Sequence, residues 1–203
     1  MLLLRSAEKE HNDCGVYSLG PLSAVPCSPN AKNTLNNLAI KPLRAEDVPG
    51  MMAQFTKLGW KKTTELYDMY LREQASGKRA MLVAQLDGKF AGYLTVKWES
   101  GYGPFRADGI PEINDFNVLP ELRRKGIGSR LMDAAEALIA TRSAHSGIGV
   151  GLPADYGPAQ RMYVLRGYVP DGRGLMDHGQ PVKYDEAITV SHEMAIYFTK
   201  KLH

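Results

Sequence analysis

No apolar run in the chain approaches the ~20 residues that cross a bilayer as a helix, which argues against a membrane-spanning role. Met1-Leu2-Leu3-Leu4 is too short for a signal-peptide core and ends at Arg5, so a cytoplasmic protein is expected. Cysteine is scarce. Cys14 and Cys27 could pair, but two cysteines in such a chain are expected as free thiols. His145, His178 and His192 are scattered, no Cys/His cluster has ligand spacing, and no metal is expected. No Ser-His-Asp order stands out for nucleophilic catalysis. Charge of one sign is nearly missing too: 25 Lys and Arg against 22 Asp and Glu leave +3, too little to commit the chain to nucleic acid. A P-loop needs G-x-x-x-x-G-K-[ST] and a dinucleotide fingerprint needs G-x-G-x-x-G; neither occurs.

What is present fits one well-buried domain with a tail: 203 residues, 44% hydrophobic and 23% charged. In residues 1–37, Ser, Asn, Pro and Gly cluster with little apolar periodicity, so an arm or tail is expected there and the domain over 38–203. Leu38–Arg44 reads as a first strand, and Glu46-Asp47-Val48-Pro49 opens a helix leading into Met51–Leu58. A second helix follows Thr63-Thr64. Ala80–Leu86 and Phe90–Trp98 flank Asp87-Gly88, a strong hairpin signal because both turn residues tolerate positive φ. Gly101–Gly109 reads as a loop, Glu112–Val118 as a strand, and Gly147–Leu152 as a glycine-rich strand approached closely by another backbone or a ligand. Gly157-Pro158 opens a short helix over Ala159–Arg166, with Gly167 as its cap. Val169–Glu186 reads as a long loop, and Ala187–Thr199 as the last strand. The order gives an α/β (α+β) mixed sheet with helices on both faces.

The chain is organised around Glu112–Ile139. After the strand comes Arg123-Arg124-Lys125-Gly126-Ile127-Gly128, and then Ile127, Leu131, Ala134, Ala135, Leu138 and Ile139 recur along one helical face. Strand, short basic glycine loop and helix make an anion-binding construction: the glycines permit close approach, and the first helical turn offers free N–H groups at the positive end of its dipole. A pyrophosphate is the expected guest, held by Arg123, Arg124, Lys125, Gly126, Ile127, Gly128 and Ser129.

The R-x-x-G-x-G pattern of Arg123, Gly126 and Gly128 after this strand resembles the acyl-CoA loop of the GNAT superfamily of N-acetyltransferases. Ala159-Gln160-Arg161-Met162-Tyr163 followed by Arg166-Gly167-Tyr168 is similar to that family's second signature. The resemblance runs from about Leu38 to the C-terminus. It implies a central sheet split between its fourth and fifth strands, with acetyl-CoA as acetyl donor lying in the split. The pantetheine arm would then meet the strand edge at Phe116 and Val118, and the second signature from Ala159. Tyr156, three residues before Ala159, stands where the family often has an Asn that binds pantetheine or ordered water. Tyr163 matches the family tyrosine that protonates the departing CoA thiolate, and could equally be a core aromatic of its helix.

Transfer to an amine also needs a base, because an alkyl amine of pKa near 10.4 costs about 4.6 kcal/mol to deprotonate at pH 7. Glu112 and Asp115 are the candidates on the strand. Strict alternation puts Glu112 on one face with Asn114, Phe116 and Val118, and Asp115 on the other; a bulge would spoil that parity. The leading expectation is direct transfer of acetyl to a primary amine of a small molecule or peptide in a ternary complex, with no nucleic acid and no membrane involved. Alternatives are a noncatalytic acyl-CoA sensor and a nucleotide-phosphate binder using the same loop. A homodimer through the last strand or the N-terminal arm is a further expectation.

Overall fold

A computed structural model describes residues 35–202, so the expected arm and both cysteines lie outside the described residues, apart from Leu35–Asn37. The first strand, β1, is Leu38–Pro42. Helix α1 (Val48–Lys57) begins beside Pro49, where a missing N–H costs nothing, and buries Val48, Met51 and Phe55 along one face. Helix α2 (Thr64–Ala75) starts where Thr63 accepts the Leu66 N–H at 3.4 Å, and it buries Tyr67 and Tyr70. The hairpin follows as β2 (Arg79–Leu86) and β3 (Lys89–Lys97), with both Asp87 (φ 51°) and Gly88 (φ 73°) left-handed, as a primed turn requires.

The stretch Gly101–Gly109 is not a plain loop, because Gly103–Ala107 forms a short helix, α3, that sinks Phe105 into the fold. Beyond it stand β4 (Glu112–Val118), α4 (Ile127–Ala140), β5 (His145–Val150) and α5 (Gly157–Leu165). The expected loop Val169–Glu186 holds two strands instead, β6 (Val169–Asp177) and β7 (Gln180–Pro181). The last strand, β8, is Met194–Lys201 and starts later than Ala187. Pro170, Gly172 and Gly174 gave β6 the look of a loop. Its pairing with β8 is interrupted between Pro170 and Leu175, where Gly172 and Gly174 take positive φ, but resumes through Leu175–Asp177.

These strands form one eight-stranded sheet in the order β1-β2-β3-β4-β5-β8-β6-β7, antiparallel except where β4 runs parallel to β5. Helix α4 covers one face, packing Ile127, Leu131, Met132, Ala135 and Ile139 on Leu94, Val96, Ile113 and Ile148. Helices α1 and α2 cover the other through Phe55, Tyr67, Tyr70 and Tyr93, with Phe55 stacked on Tyr67 at 5.9 Å. Each such side chain contributes about 1.5–3 kcal/mol by leaving water, which makes the two faces the main source of stability.

Two irregularities position the site. The first is that β4 and β5 pair only at Glu112–Gly147 and Ile113–Ile148, so among the described residues Asn114–Val118 has no partner on that side. The second is a bulge: β3 meets β4 at Tyr93–Asn117 and Thr95–Asn114, leaving Asp115 and Phe116 opposite Leu94 alone, with Asp115 at φ 46°. The extra residue overturns the alternation read from the sequence. Phe116 and Val118 join Ile113 in the α4-side core, whereas Glu112 and Asp115 share the α1/α2 side.

Candidate active site

The glycine loop is built from β4 outward. A 3-10 turn at Pro120–Leu122 leaves the strand, and Arg123 Nε donates back to the Val118 carbonyl at 3.0 Å. Arg124 (φ 61°) and Gly126 (φ 88°) are both left-handed, the kind of local winding that forms an anion-binding concavity. Arg123, Arg124, Lys125 and Gly126 are exposed, while Ile127 plugs into the core and anchors α4. Arg130 is the first residue of the turn whose N–H finds a helical acceptor, the Gly126 carbonyl at 3.1 Å. Among the described residues, the N–H groups of residues 124–129 have no acceptor. A side chain at Gly128 would come 3.3 Å from the Phe116 ring, so the helix start sits directly on the strand. A side chain at Gly126 would come 3.2 Å from Leu35 Cδ1.

The unpaired edge of β4, Asn114–Val118, continues from this loop into the split. On the β5 side, Gly147, Gly149 and Gly151 lie beneath Phe105, Tyr197 and Tyr156; a Cβ on any of them would fall within 3 Å of a ring. The close approach at these glycines is therefore made by aromatic side chains and not by the other backbone or ligand that the sequence pattern suggested. Gln160 Nε2 ties α5 to the end of β5 by donating to the Gly151 carbonyl at 2.7 Å. Ala159 packs at the edge of the α4-side core.

Tyr163 is buried among the α4-side residues, its ring 6.1 Å from that of Tyr168. Burial pushes its hydroxyl well above the usual tyrosine range, so it holds its proton at neutral pH. That hydroxyl has no hydrogen-bond partner among the described residues. Tyr156 lies over Gly151, with its hydroxyl 3.4 Å from His192 Nδ1. Burial and then the charges of Asp155 and Asp115 raise its hydroxyl too.

The two acids stand in different settings. Glu112 is 5% exposed at the closed end of the split, where Oε2 accepts from Ser100 Oγ at 2.6 Å and Oε1 from Asn114 Nδ2 at 3.3 Å. No cation pairs with it among the described residues. Asp115 lies at the bulge and accepts from Lys62, Tyr70, Tyr93 and Asn117. Sequence reasoning gave no role to Tyr93 of β3 or to Ser100 in the connection before α3, and gave Gln160 none beyond its place in the second signature. Among the described residues no group of three His, Cys, Asp or Glu could hold a metal, and no helix is long and apolar enough to cross a membrane.

A split mixed sheet with a glycine loop at the mouth of the split defines an acetyltransferase fold, and comparison with known proteins agrees. The acetyltransferase (GNAT) family matches residues 50–168, and the chain belongs to that family. Its structure is similar to an acetyltransferase of GNAT family from Streptococcus pneumoniae (TM-score 0.59, 18% identity, covering 82% of this chain and 99% of that one). It is also similar to ribosomal-protein-alanine N-acetyltransferase from Brucella melitensis (0.60, 17%, 81% and 99%). A third likeness is to a spermidine N-acetyltransferase SpeG chimera from Vibrio cholerae and hSSAT (0.58, 14%, 82% and 96%). No curated protein matches the chain.

Proposed function

We propose that this chain is an acetyl-CoA-dependent N-acetyltransferase that moves the acetyl group directly to a primary amine of a small molecule or peptide, in a ternary complex. The observation that carries this reading is the run of N–H groups at residues 124–129 with no acceptor among the described residues, set at the mouth of the split between β4 and β5. The residues suit the donor. Its pyrophosphate would take the amides from Arg124 to Ser129 together with the charges of Arg123, Arg124 and Lys125. The pantetheine arm would lie along the free edge at Phe116–Val118, bordered by Tyr156 and Ala159. The bound donor supplies a thioester carbonyl for attack.

The chain's own residues manage the protons. Glu112 has lone pairs to spare and no cation to hold them, so it is the better base, acting directly or through a water. Asp115 already has two donors on each oxygen and is the poorer one. Tyr163 keeps its proton and has a free hydroxyl, the properties of an acid that protonates the leaving thiolate.

Thermal melting in acetyl-CoA tests the donor site. At about 100 times Kd the ligand adds about 2.7 kcal/mol, a rise of roughly 5–10 °C for a domain of this size. Gly126→Glu, which puts a carboxylate where the diphosphate would lie, is expected to abolish the rise. An unchanged melting temperature of the unmodified protein in millimolar acetyl-CoA would overturn the reading.

A further inference from the structure

Asp115 stands at the bulge of β4, on the rim of the split, with its side chain 15% exposed. A carboxylate offers about four lone-pair sites. Here Oδ1 accepts from Lys62 Nζ (2.7 Å) and Asn117 Nδ2 (2.8 Å), while Oδ2 accepts from the hydroxyls of Tyr70 (3.0 Å) and Tyr93 (2.7 Å). The four donors differ in how firmly they are held. Tyr93 and Tyr70 are buried in the α1/α2 core, and Asn117 is fixed opposite Tyr93 in the strand register. Burial, reinforced by the charge of Asp115, raises both tyrosine hydroxyls, so each stays protonated and remains a donor.

Lys62 is different. It comes from the connection between α1 and α2, its side chain is 23% exposed, and among the described residues Asp115 is its one side-chain hydrogen-bond partner. Its ammonium lies 5.9 Å from the centre of the Tyr93 ring. It is thus the one donor that can leave without moving a helix or a strand. Its departure would open a carboxylate with a single vacant position beside aromatic rings, at the edge of the split.

We propose that Lys62 is an internal place-holder, and that the acceptor carries, besides its reacting amine, a second cationic group that displaces the Lys62 ammonium from Asp115. This inference rests on the acyl-transfer reading above, which makes the split the place of reaction. With three fixed donors retained, Asp115 binds a charge rather than taking a proton, and deprotonation of the reacting nitrogen stays with Glu112. The exchange conserves charge, ammonium for ammonium. An acceptor bearing a carboxylate in place of the second cation would instead be repelled by Asp115. Small diamines share the required chemistry with peptides whose N-terminus precedes a Lys or Arg.

The test is calorimetric titration of the full chain, in saturating CoA thiol so that no transfer occurs, with putrescine, n-butylamine, γ-aminobutyrate and a short Ala-Lys peptide amide. The doubly charged ligands are expected to bind roughly tenfold more tightly than n-butylamine. Lys62→Met, which removes the internal competitor, is expected to tighten them by a further factor of about three to ten. Asp115→Asn is expected to erase the preference; should that variant not fold, Lys62→Met decides alone. Whether putrescine or the peptide binds better tells which source supplies the second charge. Equal binding of putrescine and n-butylamine, best binding by γ-aminobutyrate, or weaker putrescine binding in Lys62→Met would each overturn the proposal. A parallel melt in acetyl-CoA keeps the two readings apart: a donor-induced rise without diamine preference defeats only the Lys62 inference, and no rise defeats the acyl-transfer reading.

Discussion

The ring of Phe105 occupies the space in which a side chain on Gly147 would stand: a Cβ there would lie 2.3 Å from the ring edge. This contact lies at the closed end of the split, at the residue of β5 that pairs with Glu112. The next glycine, Gly149, lies beneath Tyr197, which stacks on Tyr102 at 3.6 Å with the rings 3° from parallel. An aromatic plug thus closes the sheet just where the two strands part.

Gly147→Ala is therefore expected to overpack this end, costing about 1–3 kcal/mol, or roughly 3–10 °C in melting temperature. Phe105→Leu in the same chain should return part of the loss, because the smaller side chain vacates the contested volume. Circular-dichroism melts of the single and double variants check this. A Gly147→Ala protein melting like the parent would show that the plug is not fixed.

Tyr163→Phe keeps the ring and removes one hydroxyl that has no partner among the described residues. Stability should hardly change. The acetyl-transfer rate is expected to fall by about 10²–10⁴, the usual worth of a general acid, while protection by acetyl-CoA persists. A variant that kept the parental rate would remove Tyr163 from the chemistry. A parent with donor binding and no turnover on any amine would instead fit the sensor reading.

Glu112→Gln should lower kcat/KM at pH 7 by about 10²–10⁴. The deficit is expected to shrink as pH climbs toward about 10.4, where an alkyl amine sheds its proton unaided. Initial rates across that range decide the matter; a deficit independent of pH would give Glu112 a purely structural part.

An ion cluster away from the site sets the acid limb of stability. Glu136 on α4 accepts from Arg166 Nε at 2.9 Å and pairs with Lys200 Nζ at 2.7 Å, and Arg166 also reaches Asp133 at 2.8 Å. Burial works to raise the Glu136 carboxyl, but the bonds from Arg166 and Lys200 outweigh it and hold the group below the usual glutamate range. A carboxyl lowered on folding stabilises above its unfolded pKa, and that contribution is lost as pH falls through the folded value. Melting temperature should thus drop below about pH 4.5, and Glu136→Gln should start lower and flatten that drop. Identical acid limbs in the two proteins would refute the linkage.

The sequence made the local signals legible. Asp87-Gly88 marked the hairpin because both residues must take positive φ, and Thr63 marked α2 because a hydroxyl before a helix finds an orphan N–H. Arg123-x-x-Gly126-x-Gly128 marked the loop because all its parts lie within six residues. Features that depend on a distant partner stayed hidden. Strand β6 reads as a loop until β8 supplies a register through Leu175–Asp177, and α3 is too short to show periodicity. The facing of Asp115 depended on one surplus residue in β4, which the partner β3 defines and β4 alone does not reveal. The donors to Asp115 come from α2, β3, the α1–α2 connection and β4 itself, a grouping that exists only once the chain is folded.

That surplus residue also fixes how this chain can tolerate change in length. Since Asp115 absorbs the extra step with a left-handed backbone, removing it would straighten β4 into plain alternation and leave Phe116 and Val118 beside α4, with the glycine loop still in place. A one-codon deletion at this point would thus cost the carboxylate and its four donors but spare the strand's buried face.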